Sequence, residues 1–485
     1  MEIISTLTLA IAASYIIWSC ISLLQNYQKA RRSGFPIFVC PANTNNLLWI
    51  LFSVTLRPVL SFYLPKAVYD RIQPAIYGWE FLARYTVFDR LGPTFILVTP
   101  GKNELYVAEP EIAHSILMRR NDFAHLPLAD RIIGIFGPNL ITAEGDEWSR
   151  LRKVIAPLLN ERISRSVWDE SCQQAQEMLQ HFTSRRKDSG AHDEQSADLG
   201  ETRATIEGVR SIAINVIGSV AYGTPRSWHH RDAIAQEGFR LSYMDAILAI
   251  VENLVPATFV PITILTSPVM PRSIQRIGFA VKEFPVHAKK LLDDERNTSP
   301  ASGQAKNLMS TLVKVSDAER HATTASSKGS YLSEHELTGN MFQFTIAGFD
   351  TTANTMCYAI TLLAANPVWQ IWIRDEIDQV VLHGQDGGYE NLYPQLKRCL
   401  ALMRTSFIPW SAGPRNCPGQ KMAEVEFVAV MYTIFGKWKV EPALGKGESE
   451  LEARQILEAL MADSQPRVTL QMNRPREVKL RWQER

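Results

Sequence analysis

Ten residues, Trp410 to Gly419, read Trp-Ser-Ala-Gly-Pro-Arg-Asn-Cys-Pro-Gly. They set one cysteine, Cys417, in a tight loop that opens into an apolar helical run of Met422, Val425, Val428 and Ala429. Each residue type has a physical job there. Gly413 can take backbone angles closed to other residues, so the chain can turn tightly under a flat ligand. Pro418 and Gly419 start the helix and let its backbone come close. N–H groups at a helix N-terminus stabilise a thiolate and lower a thiol pKa. Arg415 supplies a fixed positive charge suited to a carboxylate. A sheltered thiolate with N–H donors around the sulfur is how a protein holds haem iron by cysteine.

A lone cysteine is ordinarily a buried structural residue, but the Trp, Gly, Arg and Pro around Cys417 argue against that here. Cys20, Cys40, Cys172, Cys357 and Cys399 are scattered, with no Cys-x-x-Cys and no histidine at ligand spacing. That argues against zinc and suits a reducing compartment without disulfides. A second stretch, Ala347-Gly-Phe-Asp-Thr-Thr352, sits inside a predicted long helix. Ala347 and Gly348 leave a groove, and Asp350 and Thr351 place an acid beside a hydroxyl. A third, Trp148-Ser-Arg-Leu-Arg152, puts Trp148 and Arg152 four apart on one helical face.

The decapeptide resembles the haem-binding loop of the cytochrome P-450 family, with Trp410 where Phe is more common. Ala347–Thr352 resembles the family's A-G-x-D-T-T motif, and Trp148–Arg152 its W-x-x-x-R helix. The order of the three also matches. The resemblance implies a mainly α fold with small β-sheets and heme b bound through a Cys417 thiolate. It makes Cys417 the metal ligand and adds Trp148, Arg152, Trp410, Gly413, Arg415 and Gly419 to the cofactor site. Asp350 and Thr351 become the catalytic proton-delivery pair. The implied activity is insertion of one oxygen atom from O2 into a small apolar organic substrate, with electrons from NADPH through an NADPH–cytochrome reductase. Arg150, Lys153 and Lys421 form a candidate basic face for that partner. Segments 409–419 and Glu424–Val430 resemble fungal secondary-metabolism members.

The 485 residues are 46% hydrophobic and 21% charged, enough for a large core. A net charge of +1 gives no sign of a nucleic-acid partner. Ile3 to Leu24 is an apolar run long enough to span a bilayer. Lys29, Arg31 and Arg32 follow it and only Glu2 precedes, which predicts a single-pass anchor over 1–27 with residues 28–485 cytosolic at the endoplasmic reticulum membrane. Leu47 to Leu56 is too short to span and reads as an interfacial, re-entrant or core segment. Strands are predicted at Thr94–Thr99 and Glu104–Ala108, a helix over Pro110–Met118, and a terminal hairpin around Asn473–Arg476. Ser333 with Glu336 marks a capping box at the start of the long helix. Asn121–Ala143 reads as an apolar loop, Phe239–Met270 as apolar helix with Pro breaks that resembles the family's lid helices, and 183–205 and 295–330 as exposed polar stretches.

One family feature is missing. No Glu-x-x-Arg occurs between Thr351 and Cys417. Tyr393 to Met403 resembles the start of the helix that should carry it, and Arg404 runs at once into the cysteine loop. The pattern suggests an internal deletion at 403–404, real or from a mis-spliced gene. A monooxygenase is therefore weighed against a catalytically impaired or haem-free product, and against a haem-thiolate isomerase or dehydratase needing no reductase.

Overall fold

The computed structural model describes residues 2–123, 127–188, 201–228, 238–297, 307–322, 331–382, 388–403, 410–466 and 469–485. They form helices and small sheets, the class expected from the sequence. The chain divides into two compact units, Met1–Arg120 with Ser464–Gln471, and Asn121–Asp463 with Met472–Arg485.

In the first unit, helix α1 (Glu2–Arg31) leaves Leu9, Ile16 and Ile17 exposed. Its stretch Leu9–Arg31 is long and apolar enough to cross a membrane. The last turns dock on a sheet: Leu23 and Ala30 pack against Ile96 and Val98, and Asn26 Nδ2 donates to Thr99 O at 2.9 Å. Strand β1 (Ile37–Val39) is followed by helix α2 (Leu47–Tyr63), then β2 (Thr94–Val98) and β3 (Asn103–Val107). β1 runs parallel to β2, with Ile37 opposite Ile96; β3 returns antiparallel, with Val107 opposite Thr94. Trp79, Phe95 and Tyr106 knit the core, with ring centroids 5.2 and 5.3 Å apart for Trp79–Tyr106 and Phe95–Tyr106. The helix predicted over Pro110–Met118 is present with those bounds.

The second unit carries α3 (Gly145–Ile155), α4 (Glu161–Asp188), β4 (Glu201–Thr202), α5 (Thr205–Tyr222), α6 (Glu334–Ala365), α7 (Pro367–Leu382), α8 (Lys397–Ala401), α9 (Gln420–Lys437), β5 (Trp438–Pro442) and β6 (Leu480–Glu484). Helix α5 packs on both α4 and α6, and α9 packs on α4. The capping box starts α6: Glu336 N–H donates to Ser333 Oγ at 3.2 Å, and Ser333 N–H to Glu336 Oε2 at 2.8 Å. Gly339 is required on steric grounds, because a Cβ there would lie 2.5 Å from Gly137 O. Buried polar groups hold the helix in register. Asn340 Oδ1 accepts from Leu140 N–H at 3.0 Å, and Tyr222 Oη donates to Met341 O at 2.7 Å. At Asn366 the helix stops, and Pro367 opens α7 after a bend of 108°.

The predicted terminal hairpin does not form. β6 pairs antiparallel with β5, Trp482 opposite Val440, and also with β4. Leu470–Met472 pairs with Ser464–Pro466 instead, and residues 467–468 lie outside the described residues. Leu480 and Trp482 alternate inward and are buried, whereas Leu470 is exposed. Core burial by a distant strand therefore outweighs the local turn signal around Pro475. Within Asn121–Ala143 a short helix forms at Pro127–Ile133. Phe239–Met270 yields helices Tyr243–Glu252, Leu254–Phe259 and Ile262–Leu265. Of the stretch 183–205, residues 189–200 lie outside the described residues. Within 295–330, expected to be exposed, a helix forms instead at Leu308–Ala322, and its Leu308, Met309, Leu312 and Val313 are buried because they pack into the core.

Candidate active site

The cysteine loop ends on Gly419, the N-cap of α9. Gly413 takes φ +74°, which glycine adopts without strain. Ser411 takes φ +62°, a region that disfavours side chains, so the turn holds backbone strain next to the thiol. Cys417 N–H donates to Trp410 O at 2.9 Å and Asn416 N–H to Gly413 O at 3.1 Å. Cys417 is exposed; Cys40, Cys357 and Cys399 are buried and Cys172 is half-buried. Protein surrounds its thiol on all but the open side. That desolvation pushes the thiol above its ordinary pKa, while the Gly419 N–H and the Arg152 charge pull it back down.

Helix α3 supplies the other wall. Trp148 is buried and Arg152 half-buried, one turn apart. Arg152 Nη1 donates to Asn416 O at 2.7 Å and Nη2 to Asn416 Oδ1 at 2.8 Å. Arg415 Cζ sits 5.2 Å from the Trp148 ring centroid, a cation–π contact. Trp148, Arg152, Trp410, Gly413, Arg415, Cys417 and Gly419 are thus one cluster. Asn416 is the member that sequence reasoning missed. Its signal was an amide side chain inside the turn, able to fill an arginine fork.

Asp350 and Thr351 lie on α6, which packs on α9. They point apart. Asp350 is 2% exposed, with Arg210 Nη2 of α5 3.8 Å from its Oδ1. Thr351 is exposed, its hydroxyl donating back to Ala347 O at 2.6 Å. Thr355, one turn on, is exposed too. Gly348 does not open the groove read from the sequence: a Cβ there would meet Ile217 Cδ1 at 3.1 Å, so this glycine serves close packing of α6 on α5. The open face is carried by Ala347, Thr351 and Thr355.

Two further polar residues differ from expectation. Arg150 is held by the Glu147 and Glu336 carboxylates and donates to Tyr331 O at 2.7 Å. Lys421 stands 4.3 Å over the Tyr393 ring and 4.0 Å from Glu161. Of the three candidate steering cations, these two are engaged within the fold. On α9, Glu426 is 3% exposed, and its Oε1 has no hydrogen-bond partner among the described residues. Desolvation pushes its carboxyl well above the usual range. A glutamate inside Val425–Val430 is a visible signal, since an acid seldom sits in an apolar run without a partner.

The Cytochrome P450 family model matches residues 84–401 and 400–469. The chain belongs to that family. Among curated relatives, it is 24% identical to a phomenoic acid biosynthesis cluster cytochrome P450 monooxygenase of Leptosphaeria maculans, over 93% of this chain and 94% of the relative. It is 22% identical to a cytochrome P450 monooxygenase of Arthrobotrys oligospora, over 98% and 97%. A third, from Postia placenta, is 24% identical over 75% and 80%. The chain is therefore that of a P450 enzyme of the monooxygenase type.

The family implies haem with cysteine thiolate ligation, and the residues present fit it. One accessible thiol takes an N–H donor from its own helix start, the Arg152 charge acts on it, and the Arg415 guanidinium sits over Trp148 in the same cluster. The family match also breaks into two stretches that meet at residues 400–401. The Leptosphaeria alignment runs over 571 positions, far more than 93% of 485 residues can fill. The relative thus carries segments with no counterpart here. α8 is only five residues long. Of the inferred junction, Met403 is buried, while Arg404 lies outside the described residues.

Proposed function

We propose that this P450 is a haem-thiolate monooxygenase acting on a small apolar organic substrate in fungal secondary metabolism. The observation that carries the reading is the accessible Cys417 thiol, held at the start of α9 by the Gly419 N–H and braced by Arg152. When bound, heme b supplies dioxygen activation, and electron donation from the cysteine sulfur favours O–O cleavage. Cys417 would be its iron ligand. Arg152 spends two of its five N–H donors on Asn416, leaving others for a propionate; Arg415 and Trp148 would complete that grip. Trp410 and Gly413 shape the turn that carries Cys417 and would help to hold the group.

Thr351, on the open face of α6, is the group proposed to hold a proton for the reacting oxygen, with Asp350 behind it as the acid. Electrons would come from NADPH through a flavoprotein reductase. α1 would anchor the chain in the endoplasmic reticulum, its basic C-terminal flank keeping the catalytic residues cytosolic. The relative's membership of a biosynthesis cluster supports the metabolic setting. An intact Asp350–Thr351 pair favours oxygen activation over isomerisation or dehydration.

Glu426, whose Oε1 has no partner among the described residues, and the five-residue α8 favour a second reading, a chain that holds haem loosely for want of its absent block. The test of the first is oxygen uptake driven by NADPH and a fungal reductase. Thr351→Ala should raise hydrogen peroxide at the expense of product while stability stays within about 0.5 kcal/mol, as for an exposed site. An unchanged product-to-NADPH ratio would make Thr351 purely structural.

A further inference from the structure

Helix α2 has its polarity inside out. Its outward face carries Leu48, Phe52, Leu56, Val59, Phe62 and Tyr63, exposed by 65, 52, 44, 49, 80 and 76%. Those positions recur at helical spacing, so they form one stripe along the whole helix. The only charged residue of α2, Arg57, is turned the other way, donating to Gln465 Oε1 at 3.3 Å. Ser53 on that inner side is 1% exposed. Trp49 Nε1 donates to Ala75 O at 2.8 Å and fixes the helix's rotation. A helix facing water turns its charges outward; this one faces an apolar medium.

The position of α2 says which medium. Asn46, its N-cap, lies 3.4 Å from Tyr15 Oη on α1. Asn26, eleven residues further along α1, is docked on Thr99 and Asn103 of the sheet turn. At 1.5 Å per residue, Tyr15 is about 16 Å beyond that dock, towards the free apolar end of α1. α2 thus starts beside Tyr15, within the stretch Leu9–Arg31 that is able to cross a bilayer. Its 17 residues reach about 25 Å, short of the roughly 30 Å hydrocarbon core, and its inner face is tied to the protein.

We infer that α2 is a second membrane element that enters the bilayer beside α1 without crossing it, its outer face, with Phe52, Val59 and Phe62, set among the acyl chains. The inference rests on α1 being a membrane anchor. To test it, the full chain is reconstituted in phosphatidylcholine vesicles with p-benzoylphenylalanine at one of four positions. Trp18, exposed on α1, reports the anchor. Phe52 and Phe62 report the outer face of α2, and half-buried Leu60 its inner face. On irradiation, lipid adducts should form at 18, 52 and 62, with about tenfold less at 60, as expected for opposite faces of a helix with one face in lipid. Adducts at 18 but not at 52 and 62 would overturn the inference and leave the anchor standing. Cross-links from 52 and 62 to a second chain would overturn it in favour of self-association. Adducts at none of the four would reject both the inference and the anchor.

Discussion

The long helix α6 and the cysteine loop each carry a motif that bears chemistry, yet they are supported differently. In α6 a series of polar groups have partners: Ser333 with Glu336, Asn340 with Leu140, Tyr222 with Met341, Arg210 beside Asp350; Gln343 is the exception, its buried Oε1 having none among the described residues. Its helix continues for 32 residues before Asn366 ends it. The cysteine loop is held from one side by Arg152 and by its own turn. Upstream stands a five-residue helix, and the following helix buries Glu426 with an Oε1 that has no partner among the described residues. The difference teaches that an intact motif does not entail an intact brace. Residues that do the chemistry and residues that hold them are separate requirements, and this chain retains the first more fully than the second.

The largest expected effect comes from supplying the brace. A chain carrying a Glu-x-x-Arg block from a close relative, inserted after Met403, should gain several kcal/mol of stability, the scale of a buried charge network. Its haem content should rise with it, because a ligand that binds only the folded state follows folding. Equal haem content and thermal stability in the two chains would erase the contrast drawn here.

The reverse manipulation weakens the well-braced side. Arg210→Ala leaves the buried Asp350 without its nearby cation. It should cost up to about 1 kcal/mol in denaturant unfolding, the range for losing one part-exposed ion pair. A loss indistinguishable from zero would mean that Asp350 is satisfied by its own helix.

Glu426 sharpens the comparison through pH. Its folded-state carboxyl titrates well above the ordinary 4.5 because burial penalises the anion. Above pH 4.5 the unfolded chain gives up this proton and the folded chain keeps it, so stability falls as pH rises. Glu426→Gln should flatten that slope, raising the melting temperature at pH 7 relative to the parent but not at pH 4. Parallel pH profiles would show that the carboxyl has a partner after all.

Much of this was legible in the sequence, and the line between what was and was not is physical. Gly413, the capping box at Ser333, the strands near Thr94 and Glu104, and the helix from Pro110 all rest on signals within a few residues of themselves. Arg210 opposite Asp350, Asn416 in the fork of Arg152, Gly348 against Ile217, and Trp482 beside Val440 are pairings over long sequence separations. No local spacing encodes them, because side-chain partners are selected by tertiary packing. Glu426 lies between the two cases, since its oddity shows in the sequence and its lack of a partner only in the fold.

The account's central claim is that Cys417 is the thiolate that holds haem iron, and the ferrous–carbon monoxide difference spectrum tests it most directly. Cys417→Ser should abolish the thiolate-ligated absorption entirely, whereas Cys399→Ser, at a buried thiol on α8, should keep its position. A Cys417→Ser protein that retains the thiolate band, or its loss in Cys399→Ser alone, would contradict the assignment.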